Sequence, residues 1–449
     1  MTKRTSRPSQ KSIPDPLRVS RRGLLSGLIS GGVLGSLAGT VWPRMARGAS
    51  PSSSARPSAS SPASSPTSPP ASPPWMHRLG PGVVSRPYGQ PSPHESGVVR
   101  QTVPWLTASP ESAVSFTPLH ALEGIITPNG LTFERHHAGV PDIPPQDHRL
   151  MIHGLVRRPL LLSMDEILRF PSVTRVAFVE CPANGSMEWR GSQMAGLQFT
   201  HGMLSCAEWT GVALSTLLGE VGPLKEASWI LAEGADGAAM SRSVPMEKAL
   251  ADALVVYAQN GERLRPENGY PLRLLLPGWE GNMSVKWLRT IKVIDQPAMT
   301  RDETSKYSDL QKDGTARLFS FPMGVKSVIT SPSPGLAMSA PGVYQISGIA
   351  WTGAGKIRRV EISTDGGTSW ADAALDEHVL SKCLTRFRAA WRWNGGSSVL
   401  MSRATDESGS VQPTRDSILG ERPAASFYHY NGIQAWRVAD NGEVTNVYV

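Results

Sequence analysis

The sequence predicts a mixed α+β domain followed by a β-sandwich, behind an N-terminal stretch that belongs to neither. Three observations carry this expectation. Short apolar stretches separated by Gly, Pro and Asn turns run from about Pro104 to the C-terminus, which is the pattern of strands. Up to about residue 315 they are interrupted by helix-start signals, and from about Ser320 they are not. Composition agrees, because 38 Pro and 43 Gly among 449 residues favour strands and turns over long helices. A chain of this length can bury two or three separate cores. We place the boundaries at 1–49, 50–78, 79–315 and 316–449.

The first segment reads as an address. Ser20-Arg21-Arg22-Gly23-Leu24-Leu25 precedes a Gly-rich apolar run, Leu24 to Val41, and small residues at Ala46 to Ala49 offer a cleavage region. Twin arginines, a mildly apolar core and small residues form a twin-arginine export signal and predict a periplasmic protein. The competing reading is an uncut membrane anchor, which glycine dilutes to marginal spanning hydrophobicity. Ser50 to Pro74 is almost wholly Ser, Pro and Ala. Such a tether buries too little apolar surface to offset chain entropy.

In the α+β domain, strands are expected at Arg149 to His153, Arg175 to Val179, Trp229 to Ala232, Leu272 to Leu276 and Trp287 to Ile294. Ser163 with Glu166 three residues later is a capping box and starts a short helix. Ala213 to Glu220 and Pro245 to Ala251 are further short helices. Beyond Ser320, strands are expected at Ser327 to Thr330, Gly342 to Trp351, Ile357 to Ser363, Ala389 to Trp393 and Ser398 to Ala404. Asp365-Gly366-Gly367 and Asn394-Gly395-Gly396 supply the positive φ of hairpin turns. The succession predicts an immunoglobulin-like sandwich, a module for packing and assembly.

A formal charge of +8 and a pI near 9.5 invite a nucleic-acid reading. The basic residues are scattered, without a basic helix or an aromatic-interleaved stripe, so no nucleic-acid partner is expected. Cys181, Cys206 and Cys383 are too few for a disulfide framework. No C-x-x-C or C-x-x-C-H occurs, so no haem is expected on this chain.

Four pieces carry chemistry: Phe133-Glu134-Arg135-His136-His137, Glu180-Cys181-Pro182-Ala183-Asn184-Gly185, Pro277-Gly278-Trp279-Glu280-Gly281-Asn282-Met283-Ser284-Val285-Lys286, and Lys306-Tyr307. Each is ambiguous alone. A Cys beside Pro at a strand end is a buried small hydrophobe or an exposed thiolate suited to a soft metal. Adjacent histidines on an extended chain face opposite ways, which argues against one shared metal. A Gly-rich turn can cradle phosphate, but so can many unrelated turns.

Together, in this order, the pieces resemble the sulfite oxidase family of molybdopterin enzymes. Glu180-Cys181-Pro182-Ala183-Asn184-Gly185, Arg135-His136-His137 and the segment from Tyr428 to Val444 point more narrowly, resembling its sulfane dehydrogenase branch, the molybdenum subunits of bacterial sulfur-oxidising (Sox) systems. The resemblance implies a molybdenum–molybdopterin cofactor whose metal takes one protein ligand, Cys181. It implies that Arg135 and Tyr307 act at the reacting face, with a further arginine from the C-terminal domain, for which Arg388 is the candidate and Arg386 or Arg392 the alternatives. Phe133, Arg135, His137, Asn184, Ser205, Arg273, Gly278, Ser284 and Lys286 are the implied cofactor contacts. Cys206 and Cys383 are left structural roles. The implied reaction is two-electron oxygen transfer to reduced sulfur, with electrons leaving singly to a c-type cytochrome subunit. A homodimer within a heterotetramer is the implied assembly.

Two departures from animal sulfite oxidases stand out: Gly185-Ser186 replace an Arg-Arg pair, and Phe199 replaces a pocket tryptophan. A less cationic pocket favours sulfane sulfur on a carrier protein over free sulfite. The alternatives are a molybdopterin enzyme acting on another oxyanion or a sulfoxide, and an exported non-catalytic binding protein.

Overall fold

The computed structural model describes residues 18–20, 90–103, 107, 109, 111–191 and 196–449. The export signal and the Ser/Pro/Ala tether lie outside the described residues, save for the backbone of a short strand, Arg18–Ser20. The elements recognised in sequence are present, six of the strands longer than expected and two, Arg273–Leu275 and Leu288–Ile294, shorter.

The first folded domain is built on two five-stranded sheets. One runs in the order Ser241–Pro245, Trp229–Gly234, Leu288–Ile294, Arg149–Gly154, Leu160–Ser163. Leu288–Ile294 is parallel to Arg149–Gly154, and the other pairs are antiparallel. The second runs Glu262–Arg263, Leu254–Gln259, Leu204–Ala213, Ser172–Glu180, with Arg273–Leu275 added on Leu254–Gln259. Met164–Ile167 is opened by the expected capping box, in which the Ser163 amide donates to Glu166 Oε2 at 2.8 Å. In the helix Leu214–Val221, Leu214, Leu217, Leu218 and Val221 are buried. That i, i+3, i+4, i+7 stripe packs into a core shared with Ile152, Ile230 and Ile291.

The second domain is a sandwich. A four-stranded sheet, Lys326–Ser331, Gly342–Trp351, Thr385–Trp393, Ala374–Leu375, faces a five-stranded one. The latter runs Ala371–Asp372, Ile357–Ser363, Ser398–Asp406, Ala435–Val438, Val444–Val447. Val328, Ile346, Trp351, Val360, Phe387, Leu400 and Trp436 fill the space between them, and the same cluster continues into Phe178, Leu204 and Cys206 of the first domain. The seam between the domains is therefore core, not a hinge. Cys206 and Cys383 are both buried in this cluster, and Cys383 Sγ donates to the Val176 carbonyl at 2.8 Å.

Candidate active site

The strand Ser172–Glu180 pairs antiparallel with Leu204–Ala213 and ends opposite Leu204. One residue on, the Cys181 amide donates to Met203 O at 3.0 Å, and the Asn184 amide donates back to Cys181 O at 2.8 Å. These bonds fix the thiol on a rigid turn. The neighbouring loop comes from Gly281, where a Cβ would sit 2.8 Å from Glu180 O, so glycine is required for the approach.

Two cavities meet at this thiol. Arg135, His137, Cys181 and Tyr307 line both. The first cavity is walled by Phe133, Ser205, Trp209, Asn268, Arg273, Asn282, Ser284 and Lys286 among others. The second is a funnel walled mainly by apolar groups, including Phe116, Met187, Phe199, Met203, Phe427 and Tyr428.

Each side chain is held by its neighbours. The strand Arg135–His136 pairs with Ala113–Phe116, and Arg135 Nη1 donates to His136 O at 2.6 Å. His137 Nε2 lies 3.0 Å from Tyr307 Oη. Tyr307 follows the helix Arg301–Thr304 and carries a φ of +48°, an unusual conformation for a residue with a side chain. Arg242, fully buried, stacks over its ring at 5.2 Å and pairs with Glu280 at 3.1 Å. Ser205 Oγ accepts the Phe133 amide at 3.1 Å. Ser284 Oγ accepts the Leu276 amide at 3.0 Å. Arg273 donates to the carbonyls of Asn268 and Ser284 at 2.9 and 3.0 Å, and Lys286 donates to Glu267 O at 2.8 Å.

The first cavity is electrostatically incomplete. Burial and the nearby Arg273 charge push Lys286 down to about 7, and burial alone lowers Arg273 to about 10. Burial, then Lys286 and Arg135, lowers His136 to about 4. Burial and the Arg135 charge take His137 down to about 3. Burial pushes the Cys181 thiol up to about 11, although the Ala183 amide and Arg135 act the other way. Such a set suits an anion with several acceptors.

Comparison with known proteins gives this arrangement its context. The oxidoreductase molybdopterin-binding domain matches residues 137–301, and the molybdenum-cofactor oxidoreductase dimerisation domain matches residues 318–433. Sulfite oxidase of Gallus gallus is 32% identical over 65% of this chain and 69% of its own length. The chain belongs to the sulfite oxidase family. Mitochondrial sulfite oxidase of Mus musculus is 30% identical over 65% of this chain, which spans 58% of that relative's length. The crystal structure of the sulfane dehydrogenase SoxCD from Paracoccus pantotrophus superposes with a TM-score of 0.81 at 50% identity, covering 84% of this chain and 97% of that one.

The residues present fit a sulfite oxidase family cofactor. Four buried polar atoms without a protein partner, His136 Nδ1, Asn268 Oδ1, Arg273 Nε and Asn282 Oδ1, belong to residues walling the first cavity. Buried donors and acceptors are rarely left unpaired, and a pterin with its phosphate offers the complementary groups. Among the described residues no three His, Cys, Asp or Glu converge as a metal-ligand set. A single thiolate together with the pterin's own sulfurs suits that arrangement.

Nine of the expected site residues line the first cavity: Phe133, Arg135, His137, Cys181, Ser205, Arg273, Ser284, Lys286 and Tyr307. Three do not. Asn184 is a brace: its amide nitrogen donates to Glu180 Oε1 at 3.0 Å and its oxygen accepts the Met203 amide at 3.1 Å. Gly278, at φ +79°, makes its close approach to Gly353 of the sandwich, whose carbonyl would lie 2.5 Å from an added Cβ. Arg388 pairs with Asp376 at 3.0 Å on the sandwich surface and lines neither cavity. Arg386 is occupied by the carbonyls of Leu122 and Gly124, and Arg392 is exposed. The C-terminal domain instead contributes Phe427 and Tyr428 to the funnel. Sequence reasoning missed His136, Trp209, Asp236, Asn268 and Trp287 as cavity residues. For Asn268 the available signal was the Pro266-Glu267-Asn268-Gly269 turn; Trp209 and Asp236 had none.

Proposed function

We propose that this chain is the molybdenum subunit of a periplasmic sulfur dehydrogenase, exported by the twin-arginine route. It oxidises protein-bound sulfane sulfur or sulfite and passes electrons to a c-type cytochrome subunit, working as a homodimer within a heterotetramer. The observation that carries the reading is the funnel ending on Cys181. Its walls are mainly apolar, with aromatic and thioether groups prominent beside a few hydroxyls, and Arg135 and Lys306 are the two cations among its described lining residues. Free sulfite is a small dianion and is best held by several donors. An apolar funnel with one guanidinium at its base suits a sulfur atom presented on a chain.

When bound, the molybdenum centre supplies the oxygen that is transferred and takes up the two electrons. The protein's part is binding and orientation. Arg135 draws an anionic sulfur terminus toward Cys181 and stabilises the charge that builds on it. Tyr307, held by His137 and backed by Arg242, presents its hydroxyl to the same point. Lys286, Arg273 and the Gly281-Asn282 turn hold the pterin and its phosphate. Phe116, Phe199 and Phe427 exclude water from the funnel.

The test is steady-state turnover with thiosulfate, sulfite and a carrier-bound sulfane, each with and without cytochrome c as acceptor. Cytochrome reduction fastest with the carrier-bound substrate supports the reading. Nitrate reductase of Ulva prolifera also matches, at 30% identity over 65% of this chain, so reductive turnover of nitrate or a sulfoxide from a reduced dye is assayed beside it. Activity in that direction alone would overturn the proposal.

A further inference from the structure

The residue before the metal-site thiol is a carboxylate from which water is wholly excluded. Glu180 is 0% exposed. Its Oε1 accepts Lys326 Nζ at 2.6 Å and Asn184 Nδ2 at 3.0 Å, and its Oε2 accepts Trp351 Nε1 at 2.7 Å. Lys326 and Trp351 stand opposite each other in the first pair of sandwich strands, so the dimerisation domain supplies both the counter-charge and the second donor. Lys326 is itself buried. A buried ion pair is a poor device for stability, since apolar groups of the same volume hold a seam as well or better. What an apolar pair cannot do is place charge beside the thiol, where little water screens it.

We propose that the buried Glu180–Lys326 pair sets the electrostatic potential at the Cys181 sulfur, making both positioning residues through which the dimerisation domain tunes the reduction potential of the centre held there. The inference rests on Cys181 being the metal's ligand. Negative charge near the sulfur favours the oxidised metal and positive charge favours the reduced one.

The experiment is a spectroscopically monitored redox titration of molybdenum in the loaded full-length protein and in Glu180→Gln, Lys326→Met and the double variant. Glu180→Gln leaves the lysine charge and raises the potential. Lys326→Met leaves the carboxylate and lowers it. At a fixed poise each single variant changes the oxidised-to-reduced ratio by about tenfold, in opposite directions. The double variant removes both charges and shifts in the direction of Glu180→Gln, by less than that single change, because the carboxylate of the adjacent residue is the nearer of the two charges. A merely structural pair gives single variants that lose stability without opposite shifts, and that result overturns the inference.

Where a single variant loses the metal, peptide-resolved alkylation of Cys181 at one pH in the cofactor-free full-length chain replaces the titration. Glu180→Gln is then expected to react faster than the parent and Lys326→Met slower, and equal rates overturn the inference. X-ray absorption of the loaded parent separates the two failures. A missing molybdenum–sulfur bond from Cys181 removes the underlying reading, whereas a bond that is present with unmoved potentials removes this inference alone.

Discussion

His137 Nε2 and Tyr307 Oη lie 3.0 Å apart at the junction of the two cavities, linking residues 170 positions apart in the chain. His137 is held neutral by burial and the Arg135 charge, so in the tautomer protonated at Nδ1 its Nε2 accepts the tyrosine proton. Burial holds the Tyr307 hydroxyl well above the ordinary phenol range, so it stays protonated. The pair therefore presents one oriented, protonated hydroxyl beside Cys181.

Tyr307→Phe removes that hydroxyl and keeps the ring between Arg242 and Tyr428. We expect kcat to fall by about a hundredfold, as for loss of one oriented group at a reacting centre, with molybdenum content unchanged. Metal analysis beside steady-state kinetics checks both halves. Unchanged kcat removes Tyr307 from the chemistry.

Cys181→Ser tests the metal assignment. The turn around residue 181 is held by the Met203 and Asn184 backbone bonds, not by the sulfur, so the fold should survive. Pterin should remain, since its other expected contacts are untouched. Turnover should vanish, and the molybdenum–sulfur distance of the protein thiolate should be absent from the X-ray absorption spectrum.

What could be read in the sequence was whatever is local. The Ser163–Glu166 capping box was legible because both partners lie within four residues, and the strand Gly342–Trp351 because its turns are marked by glycine. Leu204–Ala213 was not recognised: seven of its ten residues are buried, on both faces, which erases the alternation that marks a strand. At the site, Cys181, Arg135 and Lys286 sit in dense motifs, whereas Trp209 and Asp236 arrive by folding alone. For Gly278 the Gly-rich turn signalled a close approach without naming what approaches; in the fold that approach is to Gly353. Asn184 lies in the same motif as Cys181, but its amide serves Glu180 and Met203, which only the fold reveals.

Lys286 gives cofactor retention a pH dependence. Without an anion its value is pushed down to about 7 by burial and Arg273, so above that pH the amine is neutral. A bound phosphate restores the charge, and binding then takes up a proton. By linkage the apparent affinity is greatest below pH 7 and declines about tenfold per unit as pH rises above it. Cofactor release followed at pH 6.5 and 8.5 should be faster at the higher pH. Lys286→Met should release quickly at both and lose the slope.

Arg135→Gln should raise KM and lower kcat together, because the guanidinium at the base of the funnel meets both the incoming anion and the charge that builds in the reaction. A combined loss of about a hundredfold in kcat/KM is expected. A change in KM alone would restrict Arg135 to capture of the substrate.

Arg388→Ala separates this structure from the expectation of a C-terminal arginine at the reacting face. The side chain is 33% exposed and its partner Asp376 is 39% exposed, so the pair contributes about 1 kcal/mol or less. Kinetics with any sulfur donor should stay within about twofold of the parent, in contrast to Arg135→Gln. Phe427→Ala acts from the same domain but on the funnel wall, and should slow a carrier-bound sulfane more than free sulfite. A large loss for Arg388→Ala would require the sandwich surface to reach a site that the geometry keeps apart from it.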